Sequence, residues 1–294
     1  MLSIFSIPKP FVGHNNIIQR NALQSWIALN CSSEIFLFGD DYGVADTAKE
    51  FGVNHISDIA KNEYGTPLIS SAFDIVQEKA RYNTLCYVNA DIIIMEDFVS
   101  GIMKINMPSF LLIGLRWDLD IDESIDFSNH QWQENLRNMI KDKGTLQPPL
   151  GADYFVFPKW DKIKLPEFAV GRPAWDNWLI FDRWKKRCPI IDASNAITVI
   201  HQNHDYAHVP DKEGLKWNGP EAIKNRKLLN NQYISNFTTR DATHIMTSNG
   251  VKKAFTREYL RHKWFRIPRL YPRLNFQHII ATKLLRIFWL MFKK

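Results

Sequence analysis

Thr84-Leu85-Cys86-Tyr87-Val88-Asn89-Ala90-Asp91-Ile92-Ile93-Ile94 is the stretch that decides the fold. Its first five residues have the apolar, aromatic and β-branched character of a buried strand. The apolar run breaks at Asn89-Ala90-Asp91 and resumes at Ile92. Polar side chains held between two buried segments form a local conflict, and such conflicts gather at functional sites. In an open α/β sheet, a carboxylate at the carboxyl end of a buried strand faces the crevice where ligands bind. Asp91 is therefore a candidate ligand for a divalent cation, with Asn89 turned the same way two residues earlier. The alternative is that Asp91 caps the turn into the helix that Glu96 and Asp97 begin.

Strand and helix alternate on the amino-terminal side of this stretch. Residues 2–7 predict a strand that ends in the rigid loop Pro8-Lys9-Pro10. Ile18, Ala22, Trp26 and Leu29 then recur at helical spacing. A short apolar run over 34–38 stops at Gly39-Asp40-Asp41, and a small helix from about Val44 closes at Gly52, a C-cap position. Residues 53–56 predict a third strand. Ile69, Ala72, Phe73, Val76 and Ala80 mark an amphipathic helix that leads into the central strand. This order predicts an α/β fold with an open, mostly parallel sheet and helices on both faces.

Downstream the alternation loosens. A strand over 110–115 ends at Arg116-Trp117-Asp118. Asp118, Asp120, Asp122 and Glu123 imitate a calcium loop but lack its glycine and terminal glutamate, so they read as a solvated acidic loop. A helix over about 129–141 and a strand over 151–157 follow. Gly171-Arg-Pro-Ala-Trp175-Asp176-Asn177-Trp178 opens a helix to about Lys186, and Pro189-Ile-Ile-Asp192 comes after it. Residues 196–200 form a last clear strand that lands on His201-Gln-Asn-His204. The sequence has no P-loop, no GxGxxG and no internal repeat.

At 294 residues, 45% apolar and 13% aromatic, the chain can bury a sizeable core and is not a disordered one. Cys31, Cys86 and Cys188 lack metal-like spacing and suggest reduced thiols in the cytoplasm. The first nine residues lack a basic segment and a long apolar core, which favours a strand over a signal peptide. The net charge of +6 is uneven. Residues 251–294 carry twelve Lys or Arg against Glu258 alone, a net of +11, which leaves −5 on the rest. A mildly acidic body with a basic tail argues against nucleic acid as the partner.

Three strand ends or turns thus carry unusual polar groups: Asn89 with Asp91, Asp176 with Asn177, and His201 with His204. A carboxylate and an imidazole far apart in sequence can share a cation if both reach one edge of a sheet, and a mixed Asp/His set suits Mn²⁺ better than Mg²⁺. Lys9, fixed between prolines, can point at a phosphate. Arg116 can clamp a diphosphate or sugar. Asp153, at a strand start after Gly151-Ala152, can bind a sugar hydroxyl, and Trp175 and Trp178 offer faces to a sugar ring, Trp178 being the better candidate for the core.

The order of these pieces resembles the GT-A fold glycosyltransferases, over residues 1–245 as a series of weak motifs. The resemblance implies a GT-A-like domain over 1–250 that takes a UDP- or GDP-linked sugar and delivers it to a glycan, lipid-linked or other hydroxyl acceptor. It implies nucleotide contacts from Pro8, Lys9, Asp40, Asp41, Asn89 and Asp91; read individually, Arg116 joins them on the donor side, and Asp153, Trp175 and Asn177 are candidates for acceptor or sugar contacts. Asp176 would be catalytic, and the metal would sit on Asp91 with His201 or His204. Asn89 departs from the aspartate common at that place, which weakens the implied metal dependence. A sugar-1-phosphate nucleotidyltransferase and a non-catalytic membrane-associated scaffold are the competing functions; Gly13-His14-Asn15-Asn16 is a poor match to the Gly-rich basic loop that the former needs.

The basic tail, 251–294, interleaves Trp264, Phe265, Ile267, Leu270, Tyr271, Leu274, Phe276, Ile279 and Ile280 with Arg and Lys. Its longest apolar run, 287–292, falls far short of the roughly 20 residues that span a bilayer. It suits the headgroup plane of an anionic membrane, which would place the protein at the inner face. Pro268 and Pro272 are expected to break the tail, with a helix from about Phe276. A helix packing on the body or on a second subunit is the alternative.

Overall fold

The computed structural model describes residues 2–204, 215–230 and 232–291. The chain divides into two compact units, Met1–Lys253 and Ala254–Lys294. In the first, β1 (Leu2–Ser6), β2 (Ser33–Phe38), β3 (Asn54–Ile56) and β4 (Thr84–Val88) are joined by α1 (Gly13–Ile27), α2 (Val44–Phe51) and α3 (Ile69–Lys79). These strands lie side by side, all parallel, in the order β3-β2-β1-β4. Every residue of β1 is buried, as expected of a strand covered on both faces. Gly52 ends α2 with φ +65°, the left-handed conformation that glycine adopts without strain.

After β4 the chain makes β5 (Ile92–Ile94), α4 (Glu96–Ile102), β6 (Leu111–Ile113), β7 (Trp117–Leu119), α5 (Trp132–Lys143), β8 (Thr145–Leu146) and β9 (Tyr154–Pro158). It continues through α6 (Trp175–Lys185), β10 (Ile190–Asp192), β11 (Val199–Gln202), α7 (Leu215–Asn218), α8 (Pro220–Leu228), β12 (His244–Thr247) and β13 (Gly250–Lys253). The main sheet reads β13-β12-β10-β6-β9-β4-β1-β2-β3. β9 runs antiparallel between β4 and β6, and β13 antiparallel at the edge. The expected α/β class with an open, mostly parallel sheet is what the chain adopts.

Three departures from expectation have physical causes. Residues 117–119 do not belong to a loop: β7 pairs with β11 and β8 in a second, four-stranded sheet, β5-β11-β7-β8. Strands this short carry too few residues for periodicity to register. The same limit hides the β12–β13 hairpin, so 196–200 is not the last strand. Third, the alternative for Asp91 fails, because the Asn-Ala-Asp turn does not cap the helix that begins at Glu96, whose N-cap is Met95. The turn separates β4 in the main sheet from β5 in the small one, so Asp91 sits where the chain changes sheets.

In the second unit, α9 (Arg257–Leu270) runs through Pro268, and α10 (Asn275–Met291) begins after a tight turn at Pro272–Leu274. Pro268 cannot donate to the carbonyl of Trp264 four residues earlier, but His278 Nε2 meets that carbonyl at 2.9 Å, which removes part of the usual cost of an interior proline. The end of the basic tail, 292–294, lies outside the described residues. Among those residues no helix is long and apolar enough to cross a membrane.

Candidate active site

The main sheet builds outward in two directions from the β1–β4 pair, because the chain runs β1, β2, β3 to one side and returns to β4 on the other. The carboxyl ends of strands at such a switch point leave a crevice. A cavity of about 400 Å³ lies there, and its lining includes Pro8, Lys9, Asp41, Asn89, Asp91, Arg116, Asp153, His201 and His204. Asp40, Trp175, Asp176 and Asn177 are not among the lining residues.

The Asp91 neighbourhood follows from strand register. β11 pairs antiparallel with β5, setting His201 opposite Ile92 and so beside Asp91. His204 Nε2 lies 3.0 Å from Asp91 Oδ2, and His201 Nε2 lies 3.8 Å from the same oxygen. One ligand atom from each of the three residues falls within 4.8 Å of the others. Asp91 Oδ1 is buried and has no hydrogen-bond partner. A buried carboxylate oxygen is seldom left so, and one carboxylate with two imidazoles is a donor set that holds divalent first-row metals. The residues fit a cation. Burial alone would push the Asp91 carboxyl up, but the His204 hydrogen bond and the charges of His201, Lys9 and His204 outweigh it and hold the group well below the usual carboxylate range.

Cations and carboxylates continue along the cavity wall. Arg116 contacts Asp153 Oδ1 at 2.7 Å and Asp118 Oδ1 at 2.9 Å. His201 Nδ1 is 3.1 Å from that Asp118 oxygen, off the line of a good N–H bond. Asp118 is thus part of the site's surroundings and not of a solvated loop, because β7 sets it opposite His201 in register. Two of Arg116's donors are already engaged, which narrows what it can offer a diphosphate. Asn89 donates from Nδ2 to Asp153 Oδ1 at 2.8 Å, so its amide points to Asp153. Lys9 Nζ is 3.4 Å from His204 Nε2, and its loop is held by Gln19, which accepts from the Lys9 N–H at 2.7 Å and donates to its carbonyl at 2.9 Å.

The remaining candidates are placed differently. Asp40 is exposed and ion-paired with Lys61, while Asp41 stands at the cavity rim. Trp175 is buried, its ring centroid 5.0 Å from both Tyr87 and Phe155, so it supports the cavity-lining Tyr87 from behind. Trp178 is the more exposed tryptophan of the pair, the reverse of the expected assignment. Asn177 donates to the Phe237 carbonyl at 2.7 Å and ties α6 to that segment.

Asp176 lies in the first turn of α6, which follows Ala174, whose φ of +95° is strained for a residue with a side chain. Burial pushes the Asp176 carboxyl up to about 6, against hydrogen bonds from the backbone of Asn177, Ala152 and its own residue. A Cβ at Gly151 would fall 2.6 Å from Asp176 Oδ2, so only glycine leaves room for the carboxylate there.

Sequence reading missed the polar network beneath Asp91. Gln202, fully buried, donates from Nε2 to the carbonyls of Asp91 at 3.1 Å and Ile18 at 2.7 Å, and accepts from Asn21 Nδ2 at 3.0 Å. The available signal was Asn21 and Ser25, polar residues four apart beside the apolar stripe of α1.

No family model matches the chain, and no curated protein sequence matches it. Solved structures that it is similar to include residues 1–349 of Staphylococcus aureus TarS with UDP-GlcNAc, at 12% identity and TM-score 0.48, covering 80% of this chain and 73% of that one. Against a longer TarS structure, at 12% identity and TM-score 0.45, the match covers 69% of this chain and 36% of that chain. Another is Mycobacterium tuberculosis glucosyl-3-phosphoglycerate synthase with Mg²⁺ and UDP, at 12% identity and TM-score 0.45, covering 78% and 79%.

Proposed function

We propose that the protein is a glycosyltransferase that moves a sugar from a nucleotide diphosphate to an acceptor hydroxyl. The observation that carries this reading is the Asp91 carboxylate at the sheet's switch point, with Oδ1 buried and unpartnered between two histidines and beside Lys9. A divalent cation held by Asp91, His201 and His204, Mn²⁺ before Mg²⁺, would supply positive charge where a departing diphosphate gathers negative charge. Lys9, on a loop fixed by Gln19, adds a cation preorganised toward the same phosphates. Pro8 and Asp41, both in the cavity lining, would meet the nucleoside. Asp153 is the carboxylate best placed for a sugar hydroxyl, its position set by Asn89 and Arg116.

In the reaction the acceptor oxygen bonds to the anomeric carbon, and the bond from that carbon to the phosphate oxygen breaks with its electron pair. The acceptor's proton needs a base. Asp176, its carboxyl pushed up to about 6, is ionised at neutral pH yet basic enough to hold that proton, and it lies within charge range of the cavity-lining Asp153. A lipid-linked or other envelope glycan is the acceptor class that suits an enzyme working at the inner face of a membrane. The test is a panel of nucleotide sugars assayed for Mn²⁺-dependent hydrolysis and transfer. We expect one donor to be consumed, and not by Asp91→Ala. Conversion of a sugar 1-phosphate and a nucleoside triphosphate instead would overturn the reading.

A further inference from the structure

The structure of the basic tail shows what it presents. Polar contacts join α9 to α10. Trp264 Nε1 donates to Thr282 Oγ1 at 3.0 Å, His278 Nε2 meets the Trp264 carbonyl at 2.9 Å, and the Trp264 and His278 rings lie 4.8 Å apart. His278 and Thr282 therefore define the face of α10 turned toward α9.

Phe276, Ile280 and Leu284 recur every fourth residue, about 180° around the helix from that face at 3.6 residues per turn. They are 72%, 43% and 61% exposed, and Ile279 beside them is 44% exposed. An amphipathic helix of a globular protein ordinarily turns such a stripe inward. Here it faces out, and Lys283 stands within it. Exposed Leu274 and Tyr271 extend the apolar surface toward the turn, and Arg261 and Arg273 are exposed close by in the chain.

An apolar stripe of this length, left uncovered, marks an interaction surface. Its charge selects the partner. With twelve Lys or Arg and a single Glu in 251–294, the surface repels a second copy of itself and attracts a broad anionic one. We infer that α10 is an interfacial helix that lies in the headgroup plane of an anionic bilayer, with Phe276, Ile279, Ile280 and Leu284 entering the acyl boundary. Lys283 reaches back to the phosphates along its own apolar stem. A nucleic acid would use the charge and leave the stripe without a purpose. The inference stands whether or not the cavity binds a nucleotide.

The experiment is flotation of the full-length protein on phosphatidylglycerol–phosphatidylcholine vesicles and on phosphatidylcholine alone, at low and high salt. The parent floats on the anionic vesicles, and less so at high salt. The combined variant Phe276→Ser, Ile280→Ser, Leu284→Ser keeps the parent's melting temperature and loses about tenfold or more in partitioning, as removal of inserted apolar area requires. Hydrogen exchange supplies a readout that needs no variant: amides of 275–284 slow when anionic vesicles are added. Unchanged flotation of the variant, unchanged exchange, or a parent that sediments with RNA and not with vesicles would overturn the inference. So would a parent dimer that the variant loses, with no vesicle binding by either.

Discussion

Gln202 Nε2 lies 3.1 Å from the main-chain carbonyl of Asp91, a contact that ties the strand carrying His201 to the turn carrying the carboxylate. The same side chain reaches Ile18 on α1, so one buried amide fixes the positions of three segments. Partners of this kind hold metal ligands in orientation, and their loss commonly weakens a metal site by about 10–100-fold.

Gln202→Leu is therefore expected to do two things. It removes three hydrogen bonds of the buried side chain, although Asn21 Nδ2 keeps the Glu123 carbonyl at 3.0 Å and the Asp91 carbonyl keeps the Gln202 N–H at 3.3 Å. The loss in denaturant unfolding should therefore be about 1 kcal/mol. It should also weaken Mn²⁺ binding, measured directly by calorimetry. A variant as stable and as metal-competent as the parent would show that the network is dispensable.

Asp176 makes the stability of the fold depend on pH. Its folded-state carboxyl sits near 6, above the unfolded value of about 4. A group raised in this way contributes stability that is fully present below about pH 4 and is lost as pH rises through 6. A rise of that size corresponds to about 3 kcal/mol. Asp176→Asn lacks this loss, so its stability relative to the parent should improve by up to that amount between about pH 4 and pH 7. A relative stability that is flat with pH would contradict the buried placement. For transfer the direction is opposite: the parent's rate should rise with pH through about 6, and the Asn variant should lose most of it while still binding nucleotide.

Gly151→Ala tests the contact from the other side. The new Cβ would stand 2.6 Å from Oδ2 of Asp176, whose carboxyl is held by backbone hydrogen bonds. We expect a loss of about 1–3 kcal/mol from overpacking. Combining it with Asp176→Ala should recover part of that loss, and strict additivity in the double-mutant cycle would rule the contact out.

The fold was legible because its signals are long. The helices on the Ile18–Trp26 and Ile69–Val76 stripes, and the buried runs at β1, β2 and β4, each repeat a pattern often enough to be read. Asp91 was legible as a polar interruption in an apolar run, and His201 and His204 as polar landings after one. The second sheet was not, because its strands are two to four residues long. Asp118 was misplaced for that reason: its role depends on pairing with His201, 83 positions away in the chain, which no local pattern encodes. The tryptophans flanking Asp176 illustrate a different limit. Helical spacing told that one of them faces the core, but it is Trp175, at the start of α6, and not Trp178, that is the buried one.

The most direct measurement is calorimetric titration of UDP and GDP into the parent and Asp91→Ala, each with and without Mn²⁺. A cation site at Asp91, His201 and His204 requires that the parent bind one of these nucleotides with Mn²⁺ and much more weakly without it. It also requires that Asp91→Ala, folded by its melting curve, lose both Mn²⁺ binding and the metal-dependent part of nucleotide affinity. Equal nucleotide binding by the two proteins, with or without metal, would contradict the central place given to Asp91.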